Sequence, residues 1–161
     1  ALSMFVMDIP PGFGPRMTLK AVPECEIWSL NVNKVKRNVF EGSQGAWIIP
    51  LEAGSSSHVE LAFLRKADKL GLQGTLDVIV PETGLASQTL RIGVALPPRV
   101  ELLVAEGPVS PVTGDGVALP KEFVGKPYFF GRSFYKGEGM TLALSYKEPV
   151  DHSPQPQGNK P

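Results

Sequence analysis

The amino-acid sequence predicts an all-β protein, namely a Greek-key β-sandwich of roughly seven to nine strands. Apolar and polar residues alternate strictly in most of the chain, and clusters of turn-forming residues separate the alternating runs. Glycine and proline contribute 17 and 16 of the 161 residues, which is enough to supply a turn after each strand. The alternation predicts strands that bury one face, because successive side chains of a strand point to opposite sides.

The alternating runs define the predicted strands in chain order, and their apolar members define the predicted core. Directly after the first run, Asn33-Lys34 is expected to form a two-residue hairpin turn, since Asn tolerates the positive φ that such turns need. Helical signals are weak and are confined to residues 64–72 and 120–125. The predicted core residues are Trp28, Leu30, Val32, Trp47, Ile49, Leu61, Phe63, Leu76, Val78, Leu90, Ile92, Val94, Leu142 and Leu144.

The domain organisation is expected to be simple. Residues 1–15 are interpreted as an N-terminal extension and residues 16–149 as one β-sandwich domain. Residues 150–161 are polar and rich in proline, which is typical of a flexible tail or linker. Because the chain begins at Ala1 and not at Met, we expect a processed mature chain or an excised segment of a larger protein.

Composition and charge argue against several classes of protein. Lys plus Arg and Asp plus Glu each number 16, so the formal net charge is zero. This balance does not favour a nucleic-acid binder, whose affinity depends on basic residues facing phosphates. No apolar run reaches the length of a membrane span, and the single cysteine, Cys25, cannot form an internal disulfide.

No arrangement of residues indicates catalysis or a bound cofactor. His152 lies in the proline-rich tail, and His58 lies on the polar side of a predicted strand. Cys25 lies between Glu24 and Glu26, whose carboxylates would oppose formation of the reactive thiolate. One cysteine and two distant histidines do not provide the spacing of a zinc site. The sequence therefore predicts a protein that is not an enzyme and has no catalytic residue, metal or cofactor.

Three successive segments carry a resemblance to a known class of modules. Residues 28–33 (WSLNVN), 47–51 (WIIPL) and 58–64 (HVELAFL) are similar, in this order, to strands of immunoglobulin-like β-sandwich modules in large exported bacterial proteins. The resemblance covers about residues 17–66. It implies a structural or interaction role without catalytic residues, and an extracytoplasmic location, either periplasmic or extracellular.

Two functions follow as hypotheses. The first is a structural or protein-interaction module of a larger extracytoplasmic assembly, with a protein partner or neighbouring domains as its ligand. Its contact surface is expected on the aromatic segment 125–135 and the long loop 106–120, because exposed aromatic clusters and long loops often mark contacts. The alternative is a module that binds carbohydrate or another ligand through exposed aromatics among Tyr128, Phe130, Tyr135 and Trp47. The residues expected to bind the partner are Tyr128, Phe130, Tyr135, Val112 and Val117.

Overall fold

The structure is a computed structural model that describes residues 2–65 and 70–149. These residues form thirteen β-strands and one short 3-10 turn, Ser43–Gly45. The all-β prediction is confirmed, but the number of strands is larger than the seven to nine expected. The strands are β1 (Leu2–Ile9), β2 (Arg16–Leu19), β3 (Cys25–Val32), β4 (Val35–Lys36), β5 (Phe40–Glu41), β6 (Trp47–Pro50), β7 (Ser57–Arg65), β8 (Gln73–Val80), β9 (Ser87–Leu96), β10 (Glu101–Glu106), β11 (Ser110–Pro111), β12 (Lys126–Tyr135) and β13 (Met140–Lys147).

Antiparallel pairing arranges the described strands in three sheets. The largest has seven strands in the order β11-β12-β9-β1-β7-β3-β4, and the two others have the orders β10-β13-β8 and β2-β6-β5. The chain passes repeatedly between the large sheet and the small ones. Consequently, strands that are neighbours in sequence often lie in different sheets.

The N-terminal segment belongs to the centre of the large sheet, which corrects the expectation of an extension over residues 1–15. Strand β1 pairs along its whole length with β7 and along six residues with β9. Its residues Phe5, Met7 and Ile9 are buried in the main core. The prediction failed because residues 2–7 are apolar at nearly every position and so lack the alternation that marks the other strands. A central strand buried on both faces shows no alternation.

One main hydrophobic core joins all three sheets. Every residue of the predicted core is buried in it except Trp28. The opposite side of the seven-stranded sheet, called here the outer face, has a smaller core of its own. That second core contains Leu2, Met4, Val6, Ala62, Ala95 and Val117.

The predicted Asn33-Lys34 hairpin is present. Val32 pairs with Val35, and Asn33 and Lys34 have φ values of 51° and 65°. These positive values match the two-residue turns that suit the right-handed twist of antiparallel strands. In the first segment with weak helical signals, residues 64 and 65 belong to β7, and residues 66–69 lie outside the described part. In the second, residues 120–125 form a turn in which the Phe123 N–H donates to the carbonyl of Pro120.

Candidate functional site

The five residues expected to contact a partner lie in different environments. Phe130 and Tyr135 are buried in the main core, and Val117 is buried in the outer core. Tyr128 is half-buried, and its hydroxyl accepts a hydrogen bond of 3.2 Å from the backbone N–H of Leu102. Only Val112 is exposed. The structure therefore does not present these residues as one contact surface.

The burial of Tyr135 results from an irregularity at the preceding residue. Phe134 has φ 55° and is 81 % exposed, although it lies within β12. Tyr128 and Phe130 face the main core in normal alternation, so Phe134 should follow them inward. The positive φ reverses this phase, and Tyr135 enters the core in its place. Its hydroxyl lies 2.9 Å from the carbonyl oxygen of Glu138 and 3.3 Å from that of Pro81, and donates to one of them at a time.

Alkaline titration should report the burial of Tyr135. Burial, and then the nearby Glu138 carboxylate, raise the pKa of Tyr135 from 10.0 to about 12. Because the folded state favours the neutral phenol, its stabilising contribution is complete below pH 10 and is lost as the pH rises towards 12. We expect a step in tyrosinate absorbance near pH 12 in the native protein, and we expect that step to be missing in Tyr135→Phe. A step that persists in the variant would contradict this assignment.

The long loop that was expected to bind a partner covers part of the protein's own outer face. Residues 112–124, called here the strap, begin where Val112 N–H donates to the carbonyl of Phe129. Val117 is buried in the outer core, and Leu119 and Phe123 pack against it. The strap shields an apolar face of the large sheet that would otherwise be open to water.

Trp28 is the predicted core residue that the structure places at the surface. The register of β3 with β7 shifts between Ile27 and Ser29, so Trp28 lies at a β-bulge. The bulge turns the indole away from the main core, and 46 % of Trp28 is exposed. A change of phase was visible in the sequence, because the apolar residues of this strand move from odd positions to even ones between Ile27 and Leu30.

The exposed indole meets the end of the strap. The rings of Trp28 and Phe123 lie 5.0 Å apart between centroids, with an interplanar angle of 84°, which is an edge-to-face contact. Val124, the next residue, is 83 % exposed. Trp28, Phe123 and Val124 are called here the Trp28 patch, an apolar surface supplied by two distant parts of the chain.

A groove of about 460 Å³ lies beside the Trp28 patch. It runs between β3 and the segment that leads from β4 to β5. Apolar residues and several charged ones line it together, so its chemistry is mixed. Its lining includes Leu30, Val39 and Trp47 as well as Lys36, Arg37 and Glu41.

His58 and Cys25 are residue types that often act in catalysis, and both interact with neighbouring groups of the fold. Both ring nitrogens of His58 face carboxylates on neighbouring positions of the sheet, with Nδ1 2.6 Å from Asp8 and Nε2 3.2 Å from Glu60. Burial raises the pKa of the Cys25 thiol, and Arg65 lowers it while Glu24 raises it further. A thiol with a raised pKa is a poor nucleophile at neutral pH.

Among the described residues 2–65 and 70–149, no set of three His, Cys, Asp or Glu side chains is placed to hold a metal ion. Within the same residues no helix has the length and hydrophobicity needed to cross a bilayer.

Comparison with known proteins does not assign a function to the chain. No protein-family model matches the chain, and no curated protein or solved structure is significantly similar to it. The structure shows an all-β protein with antiparallel sheets and a surface where apolar side chains are exposed.

Proposed function

We propose that this chain is a non-catalytic structural or protein-interaction module of a larger extracytoplasmic assembly, built as an immunoglobulin-like Greek-key β-sandwich. The observation that carries the proposal is the Trp28 patch. Trp28 is 46 % exposed and Val124 is 83 % exposed, although folding usually shields both residue types from water. Exposed apolar clusters rimmed by polar residues mark contact surfaces, and Trp is among the residues that contribute most to binding energy.

The patch is held in place before any partner arrives. Trp28 lies on a strand paired with β7, and Phe123 packs on the outer core of the same sheet. Binding therefore orders few additional side chains. A preorganised surface loses less conformational entropy on association than a mobile one.

The shape of the patch favours a protein partner over the carbohydrate alternative. Sugar stacking uses flat, open aromatic faces, whereas Trp28 and Phe123 meet edge-to-face at 84°. Phe130, Tyr135 and Trp47, three aromatics of the alternative hypothesis, are buried. An uneven apolar surface suits the side chains of another protein.

The location of the assembly rests on the resemblance to exported modules. Fractionation of the native cells, with a protease added to intact cells, tests it directly. The expected result is digestion while the cytoplasmic membrane is intact, on intact cells for an extracellular chain and after permeabilisation of the outer membrane for a periplasmic one. Protection until the cytoplasmic membrane is broken would contradict an extracytoplasmic location.

Substitution in the patch tests the interaction itself. Trp28→Ala and Val124→Ala should weaken association by roughly 1–3 kcal/mol, because each removes apolar area from the contact. The measurement is the sedimentation of the tagged chain in a gentle extract of its native cells, where the wild type should sediment as part of a larger complex. Phe13→Ala is the matched control, since Phe13 is also exposed but lies outside the patch.

The melting temperature of each variant separates binding from folding. The proposal requires that Val124→Ala releases the chain from the complex while its melting temperature stays near that of the wild type. If all three variants sediment like the wild type, the patch is not the contact surface. If the wild type sediments alone, the chain has no stable partner.

A further inference from the structure

A second cavity lies at the opposite edge of the large sheet from the Trp28 patch. It has a volume of about 550 Å³ and lies between β9, β12 and the segment that passes through β11. This size falls within the range of small-molecule sites. Two guanidinium groups and four hydroxyl groups line it, from Arg91, Arg132, Thr89, Ser110, Thr113 and Ser133.

The start of the strap is built around Arg91. The Arg91 guanidinium donates a hydrogen bond from Nη1 to the backbone carbonyl of Asp115. The next residue, Gly116, has φ +79°, and a Cβ added there would collide with the same nitrogen of Arg91. Glycine suits the positive φ and leaves room for the guanidinium in its present position.

The positive charge of Arg91 is not balanced by a carboxylate. Within residues 2–65 and 70–149, no carboxylate oxygen lies within 4.0 Å of its nitrogens. Arg132 differs, because Glu138 lies 2.9 Å from its guanidinium. A carbonyl oxygen orients a guanidinium without cancelling its charge, so the Arg91 guanidinium keeps its positive charge at the cavity wall. The remaining N–H groups of Arg91 can pair with an anion.

The lining also limits the charge that a ligand can carry. Asp115 contributes to the same cavity, and its carboxylate accepts a hydrogen bond of 3.0 Å from the Thr113 hydroxyl. That negative charge would repel a dianion more strongly than a monoanion. One free guanidinium therefore matches one carboxylate, which it can bind through two parallel hydrogen bonds.

We propose that this cavity binds a small hydroxylated monocarboxylate of the uronic-acid class. The carboxylate pairs with Arg91, and the ligand's hydroxyls exchange hydrogen bonds with Thr89, Ser110 and Ser133. Each of these protein hydroxyls can both donate and accept, as polyol recognition requires. The site is separate from the Trp28 patch and does not depend on the proposed function.

Titration with glucuronate, followed by amide chemical shifts, tests the site on the intact chain. Saturable shifts are expected at residues of the cavity. Arg91→Gln should weaken glucuronate binding about tenfold or more, since a charge-assisted pair is lost. Arg99→Gln is the matched control: Arg99 is an exposed arginine paired with Glu148, and its loss should change nothing.

A second test uses the unmodified protein, so it remains valid even if Arg91→Gln disturbs the strap. The uncharged methyl ester of glucuronate should bind at least about tenfold more weakly than glucuronate. Equal affinities for acid and ester, or unchanged binding in Arg91→Gln, would overturn the role of Arg91. Tighter binding of inorganic phosphate than of glucuronate would overturn the choice of a carboxylate, and no saturable shift with either would overturn the site.

Discussion

Replacing Tyr135 by alanine is expected to lower the free energy of unfolding by about 3–5 kcal/mol. The ring is fully buried in the main core, so its removal leaves a cavity, and the neighbouring side chains lose packing contacts. The hydroxyl adds a hydrogen bond to the carbonyl of Glu138 or Pro81. The sequence alone placed Tyr135 at a contact surface, where the same substitution would change stability little.

Chemical denaturation measures this effect, and Tyr135→Phe is its control. The phenylalanine variant keeps the ring and loses only the hydroxyl, so we expect a loss of about 1–2 kcal/mol. Phe134→Ala, at the exposed neighbour, should change the free energy of unfolding much less. A Tyr135→Ala variant as stable as the wild type would show that this side chain lies outside the core.

Replacing Gly137 by alanine is expected to cost about 2–5 kcal/mol, from left-handed strain and overpacking together. Gly137 has φ +86°, and an added Cβ would lie 2.6 Å from the backbone N and O of Leu85. Its carbonyl accepts the N–H groups of Thr83 (2.9 Å) and Gly84 (3.1 Å). The turn after β12 thus interlocks with the loop between β8 and β9, and a methyl group would force them apart.

Gly54→Ala separates the two causes. Gly54 has a similar φ of +79°, but nothing lies within 4 Å of an added Cβ. This control should therefore lose only about 1 kcal/mol, the cost of the left-handed conformation. Equal losses in the two variants, measured by denaturation, would mean that Gly137 is not closely packed against Leu85.

Alternation predicted the fold class and most of the core because both depend on the period of a strand. Residues such as Leu76, Val78 and Leu144 lie in regular strands, where one buried face produces an uninterrupted pattern. The same reasoning missed β1. A strand covered on both faces needs apolar residues at nearly every position and so loses its period.

Local irregularities explain why Trp28 and Tyr135 were each assigned to the wrong side of their strand. A bulge at Trp28 and a positive φ at Phe134 each reverse the direction of the following side chains. Alternation counted across them exchanges inside and outside, so Trp28 was assigned to the core and Tyr135 to a contact surface. The strap was missed for another reason: its contacts join residues far apart in sequence, and loop residues carry no period from which to predict them.

Site-specific photocrosslinking in native cells tests the interaction surface most directly. A photoreactive phenylalanine derivative replaces Trp28 in one variant and Phe13 in the other, which places the same probe inside and outside the patch. We expect one discrete crosslinked product from position 28 and none from position 13. Equal products from both positions, or none from position 28 in a chain that folds and accumulates normally, would contradict a partner at the Trp28 patch.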